Sequence, residues 1–139
     1  MRGPLALAGV TAVLVAGGCS STSVLSLSTG ECLASPSGDT VTEVDVRDCD
    51  SPHALEVVGT FDLDTDTLPA QAELTALADR RCTAAFTDYV GVDPAESRFD
   101  LTWMVPTESS WGSSGDRTVT CLAGTHSESL TSSVRASGE

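Results

Sequence analysis

The residues of this chain whose types and spacing could do chemistry fall into four groups: His53 in Cys49-Asp-Ser-Pro52-His53, an alternating run of aspartates, the pair Trp111 and Arg117, and five cysteines. Histidine is the usual general base at neutral pH. His53 with an acidic partner would therefore be the centre of a hydrolase. The stronger reading is structural. Pro52 fixes a turn after Cys49, and His53 bonds backbone at the start of the next strand. No Gly-x-Ser-x-Gly nucleophile turn accompanies it. Asp62-Leu-Asp64-Thr-Asp66 places carboxylates at positions one, three and five of a calcium-binding loop, with Glu73 at position twelve. Thr67 stands where such a loop needs Gly, and Pro69 follows, so a solvated acidic loop is the competing reading. Trp111 with Arg117 forms a candidate recognition surface, as does His53.

The cysteines are more informative. Met1-Arg2 precedes the uncharged apolar run Leu5–Ala16, which matches a signal-peptide core and is too short to span a bilayer comfortably. Val15-Ala16-Gly17-Gly18-Cys19 then resembles a lipobox, the signature read by lipoprotein signal peptidase. Small residues let the peptidase bind extended backbone, and the Cys19 thiol takes a diacylglyceryl group. Five cysteines in an exported chain leave one over, and lipidation of Cys19 removes it. Residues 1–18 are thus read as a lipoprotein signal peptide, and palmitate-bearing Cys19 as the anchor to the extracytoplasmic face of the cell membrane. Two disulfides are expected from Cys32, Cys49, Cys82 and Cys121, because the compartment is oxidising. Three pairings exist. Positions favour Cys32–Cys49, at the ends of a hairpin, and Cys82–Cys121, joining helix to last strand. Metal binding is disfavoured, since no Cys-x-x-Cys spacing occurs.

Charge narrows the partners. All basic residues are arginine, and the formal net charge is −13. A Lys-free chain rich in Ala, Val, Asp and Gly points to a high-GC bacterial genome. An acidic surface repels phosphate backbones, so nucleic acid is excluded as a partner. Anionic headgroups repel it too, so membrane attachment must come from the lipid on Cys19.

These groups must be positioned by a small α+β domain. Residues 19–29 read as a Ser/Thr-rich tether, 30–125 as the folded domain, and 126–139 as a disordered Ser-rich tail. Glu31-Cys32-Leu33 reads as a short strand. Thr40–Cys49 alternates, with Val44 and Val46 on one face and a slip near Thr42-Glu43. Leu55–Leu63, Phe99–Val105 and Thr118–Ala123 read as further strands. Pro69–Val90 has apolar residues at helical spacing (Leu74, Leu77, Ala78, Cys82, Ala85, Phe86 and Tyr89), and Gly91 marks its end. The segment between the last two strands reads as a polar Gly/Ser-rich loop. The expectation is an antiparallel sheet of about four to five strands with one long helix packed on it.

Glu31-Cys32-Leu33, Val44 to Cys49, Ser51-Pro52-His53, Glu56-Val57-Val58-Gly59, Cys82, Pro106, Trp111, Gly115-Asp116-Arg117 and Cys121-Leu122 follow one another in an order that resembles the septum formation family. This is a domain of actinobacterial membrane proteins and lipoproteins. The resemblance implies an extracytoplasmic envelope domain tied to cell division, and carries no catalytic residue or cofactor. The expected function is a non-catalytic interaction module, binding an envelope protein or a cell-wall polymer.

Overall fold

The computed structural model describes residues 21–38 and 40–139. Residues 1–18, read from the sequence as a leader, and Cys19 lie outside the described residues. Six strands form one antiparallel sheet: β1 (Ser21–Ser23), β2 (Cys32–Leu33), β3 (Glu43–Arg47), β4 (Leu55–Asp62), β5 (Asp100–Met104) and β6 (Thr118–Gly124). Their order across the sheet is β1-β3-β2-β4-β6-β5. Between β4 and β5 runs helix α1 (Gln71–Val90), and a short helix α2 (Glu108–Ser113) precedes β6. The α+β class and the long helix are as the periodicity predicts, and the sheet gains a sixth strand. Among the described residues no helix is long and apolar enough to cross a membrane.

α1 forms because its apolar residues recur every three or four positions. Leu74, Ala78, Cys82, Phe86 and Tyr89 are buried on one face. Pro69 falls outside the helix, two residues before Gln71. Gly91 ends α1 in the left-handed conformation, φ 96°, and its N–H bonds the Thr87 carbonyl. The helix packs on Val58, Val119, Cys121 and Ala123 of β4 and β6. A bulge at Val58 shifts the β4–β6 register between Val57 and Gly59. It turns Val57 to the second face, while Val58 faces the helix. On that second face Leu33, Val44, Val57 and Leu122 are closed over by Leu27. Both expected disulfides form: Cys32–Cys49 beside β2, and Cys82–Cys121 between α1 and β6.

Three segments differ from expectation. Residues 19–29 are not a free tether as far as they are described, because Ser21–Ser23 pair with Glu43–Asp45 and Leu27 is buried. Backbone pairing needs no apolar alternation, so the sequence carries no mark of β1. The loop before β6 contains α2, capped by Thr107 and Ser110, each side chain bonding the other's backbone N–H. The tail 126–139 is not disordered. Leu130 exchanges two backbone bonds with His53, of 3.0 and 2.9 Å, and Leu130 and Val134 are buried. Ala136 and Gly138 donate N–H bonds to the Tyr89 and Val90 carbonyls. Those are the last carbonyls of α1, which no helical partner can satisfy. The tail is held by closing the open end of the helix.

Candidate functional site

His53 precedes β4 and is 3 % exposed. Its Nδ1–H donates to the Ser51 carbonyl at 2.8 Å, which leaves Nε2 to find any second partner. That atom is buried with no hydrogen-bond partner among the described residues. None of the bonds His53 makes is to a carboxylate or a hydroxyl. The catalytic grouping a Ser–His–Asp hydrolase requires is therefore not assembled around it.

Trp111 and Arg117 lie at the opposite end of the β4–β6 ladder, since Leu55 registers with Gly124 and Asp62 with Thr118. His53, Trp111 and Arg117 consequently do not share one surface. The Arg117 guanidinium stacks 3.6 Å from the Trp111 ring and donates to the Trp111 and Asp116 carbonyls. Both residues work internally, fastening α2 to the start of β6.

The aspartate run does not close on itself. Asp62 ends β4, and its Oδ1 accepts from the Thr118 hydroxyl at 2.8 Å. Asp64 and Asp66 line a small cavity with Arg117, and Glu73 is exposed in the first turn of α1. Three donor atoms from Asp62, Asp64, Asp66 and Glu73 do not come within 4.8 Å of one another. Without Gly at position 67, the extended chain leaving β4 lacks the sharp turn that gathers calcium ligands. Cys32, Cys49 and Glu56 do come that close, but both sulfurs are in the disulfide.

Glu56 is the residue that pattern reading missed. It is fully buried on β4, on the side facing the end of α1. The Tyr89 and Ser133 hydroxyls each donate to its Oε1 at 2.6 Å, and the Val134 N–H donates to Oε2 at 2.8 Å. A buried carboxylate needs such donors in place of water. Burial, reinforced by the hydrogen bond to Glu56 and its charge, pushes the Tyr89 phenol above its ordinary value. Only the Glu at position 56 of a β-branched strand, on its helix-facing side, could have hinted at this.

A groove of about 640 Å3 opens on the sheet face opposite α1. One wall is Ser23, Val24 and Leu25 with residues 40–43. The other is Met104, Val105 and α2, and the floor is Thr118 and Thr120 of β6. Its size is that of a ligand cleft, and hydroxyl side chains dominate its lining. Pattern reading missed it because Ser23–Leu25 and the α2 segment, which close it against strand residues, were read as tether and loop.

A family model described as septum formation matches residues 20–121. The match includes both disulfides, Glu56 and every residue that lines the groove, and stops short of the tail segment that bonds Glu56. No curated protein and no solved structure matches the chain.

Proposed function

Because the chain belongs to the septum formation family, we propose that it is a lipid-anchored extracytoplasmic domain acting in cell division, by binding another envelope component rather than by catalysis. The carrying observation is the family match, which spans nearly the whole folded unit from β1 into β6. The two disulfides support an oxidising compartment. The groove supports a binding role, and the buried ring of His53, bonded to the Ser51 carbonyl, speaks against its use as a hydrolase base.

Lipid on Cys19 would set the geometry of binding. Ser20 alone separates Cys19 from β1, a reach of about 7 Å at the extended limit of the backbone. An anchored domain would therefore lie against the headgroups with the Ser23–Leu25 wall close to the bilayer. Several acyl chains give stable attachment where one would be marginal.

Two measurements test this reading. Labelled palmitate should enter the wild-type chain and not Cys19→Ala; equal label in both removes the anchor. Crosslinking in growing cells should then recover an envelope partner from the anchored chain and much less from Cys19→Ala. Recovery of no envelope component by the anchored chain would overturn the binding role.

A further inference from the structure

The groove carries uncompensated negative charge. Glu43 and Asp116 both line it, and among the described residues no arginine or histidine does. Their hydrogen bonds are to neutral donors. Glu43 accepts from the Ser21 hydroxyl at 2.9 Å. Asp116 accepts from the Ser110 hydroxyl at 2.9 Å and the Thr118 N–H at 3.1 Å. Neither carboxylate is in an ion pair among the described residues.

Four of the six arginines among the described residues are committed elsewhere, and Arg47 and Arg80 do not line the groove. Arg81, Arg98, Arg117 and Arg135 lie over Phe61, Phe99, Trp111 and Tyr89 at 3.9, 5.1, 3.6 and 4.3 Å. Arginines held on aromatic faces are not free to swing toward a distant carboxylate. Beside the two acids the groove presents Val24, Leu25 and Met104. Leu25 is 41 % exposed, the one large hydrophobic left uncovered among the described residues. Apolar surface next to an unpaired carboxylate suits a side chain with a methylene stem and a cationic head, which is the form of lysine and arginine.

We propose that this groove binds a basic segment of a partner polypeptide, with alkyl stems on Val24, Leu25 and Met104 and cationic heads at Glu43 and Asp116. Charge complementarity selects this occupant. A polyanionic wall polymer meets repulsion there, and a neutral glycan leaves both carboxylates unanswered. The inference rests on the binding role above and adds the chemistry of the partner.

The test uses fluorescence anisotropy of a fluorescein-labelled hexa-arginine peptide, titrated with the exported full chain carrying Cys19→Ala at physiological salt. A strongly acidic protein attracts such a probe everywhere, so the location of charge must be separated from its amount. Ser109→Arg places a cation on the exposed lip of the groove. Gln71→Arg makes the same charge change at the start of α1, on the other face of the sheet. The groove reading expects about tenfold weaker binding for Ser109→Arg and less than about twofold for Gln71→Arg, since screening confines the effect of a remote charge. Glu43→Gln should weaken binding without loss of the thermal transition. Equal weakening by the two arginine variants overturns the proposal, as does absence of saturable binding at millimolar protein. Tighter binding of a neutral chito-oligosaccharide overturns it as well. A partner crosslinked equally by the wild type and by Ser109→Arg would remove the groove and leave the binding role standing; loss of every partner would remove the role itself.

Discussion

The Tyr89 hydroxyl, at the end of α1, donates to the Glu56 carboxylate on β4 at 2.6 Å, and this carboxylate joins helix, sheet and tail. Glu56 is fully buried, and its other donors, Ser133 and the Val134 N–H, belong to the tail. Removing a donor from a buried charge is costlier than removing a neutral pair, about 1.5–3 kcal/mol for each bond to a charged group.

Tyr89 is the chain's single tyrosine, so its titration can be followed by absorbance at 295 nm without overlap. Its phenol is raised by burial first, then by the hydrogen bond to Glu56 and by that carboxylate's charge. The fold thus favours the neutral phenol. Its contribution to stability is fully present below the unfolded value of about 10 and is lost as pH rises through the higher folded value. The wild type should ionise above pH 10 and lose urea resistance in that window. Glu56→Gln should bring the midpoint down, and Tyr89→Phe should flatten the alkaline loss. Ionisation at or below 10 in the folded wild type would contradict the bond.

Truncation tests the tail as a structural element. Ending the chain after Glu128 removes Leu130 and Val134, each worth about 1.5–3 kcal/mol of apolar burial, together with two donors to Glu56. Even at the low end of these ranges the loss is about 6 kcal/mol, most of the stability of a domain this small, so the truncated chain should lose most of its urea resistance. Val134→Ala alone, a residue 1 % exposed, should cost about 1–3 kcal/mol. A truncated chain with an unchanged urea midpoint would show that the tail adds nothing to the fold.

The elements legible in the sequence are those whose stability comes from apolar periodicity. Val44 and Val46 reveal β3, and the row from Leu74 to Tyr89 reveals α1. Cysteine parity and position gave both disulfides. The illegible parts are held by polar and backbone bonds. β1 is Ser-Thr-Ser, pairing through its main chain with one added bond from the Ser21 hydroxyl to Glu43. α2 is begun by Thr107 and Ser110, a capping box with serine in place of the usual Glu or Gln. The tail has two apolar anchors in a serine-rich stretch, and its other fastenings are the carbonyls of α1 and a glutamate far away in sequence. The groove was hidden for the same reason, because Ser23–Leu25 and α2 each form part of a wall. His53, Trp111 and Arg117 were noticed for their chemical types, and each serves a local bond.

Gly59 sets how closely α1 approaches the sheet. A Cβ there would lie 2.8 Å from the Ala85 Cβ, too near for two carbons. Gly59→Ala should push the helix outward and cost about 1–3 kcal/mol, as overpacking does. Ala85→Gly in the same chain should recover part of the loss despite its lower helix propensity, because it removes the opposing methyl. Thermal melts of the two single variants and the double form a cycle, and strict additivity would contradict the contact.

The two disulfides should differ in reactivity because they differ in access. Cys82 and Cys121 are both fully buried, between α1 and the centre of β6. Cys32 is buried too, but Cys49 is partly exposed in the turn after β3. Thiol–disulfide exchange begins with attack of a thiolate on a sulfur it can reach. Under native conditions dithiothreitol should therefore open Cys32–Cys49 first, and alkylation with mass spectrometry should find label on those cysteines while Cys82 and Cys121 stay unlabelled. Denaturant should abolish the difference. In the chain-entropy picture the closed loops of 17 and 39 residues contribute about 3 and 4 kcal/mol, so Cys82→Ala/Cys121→Ala should lower the urea midpoint more than Cys32→Ala/Cys49→Ala. Label reaching Cys82 and Cys121 as fast as Cys49 would mean that α1 lifts from the sheet without unfolding of the whole, against the packing of Phe86 and Leu74 beneath it.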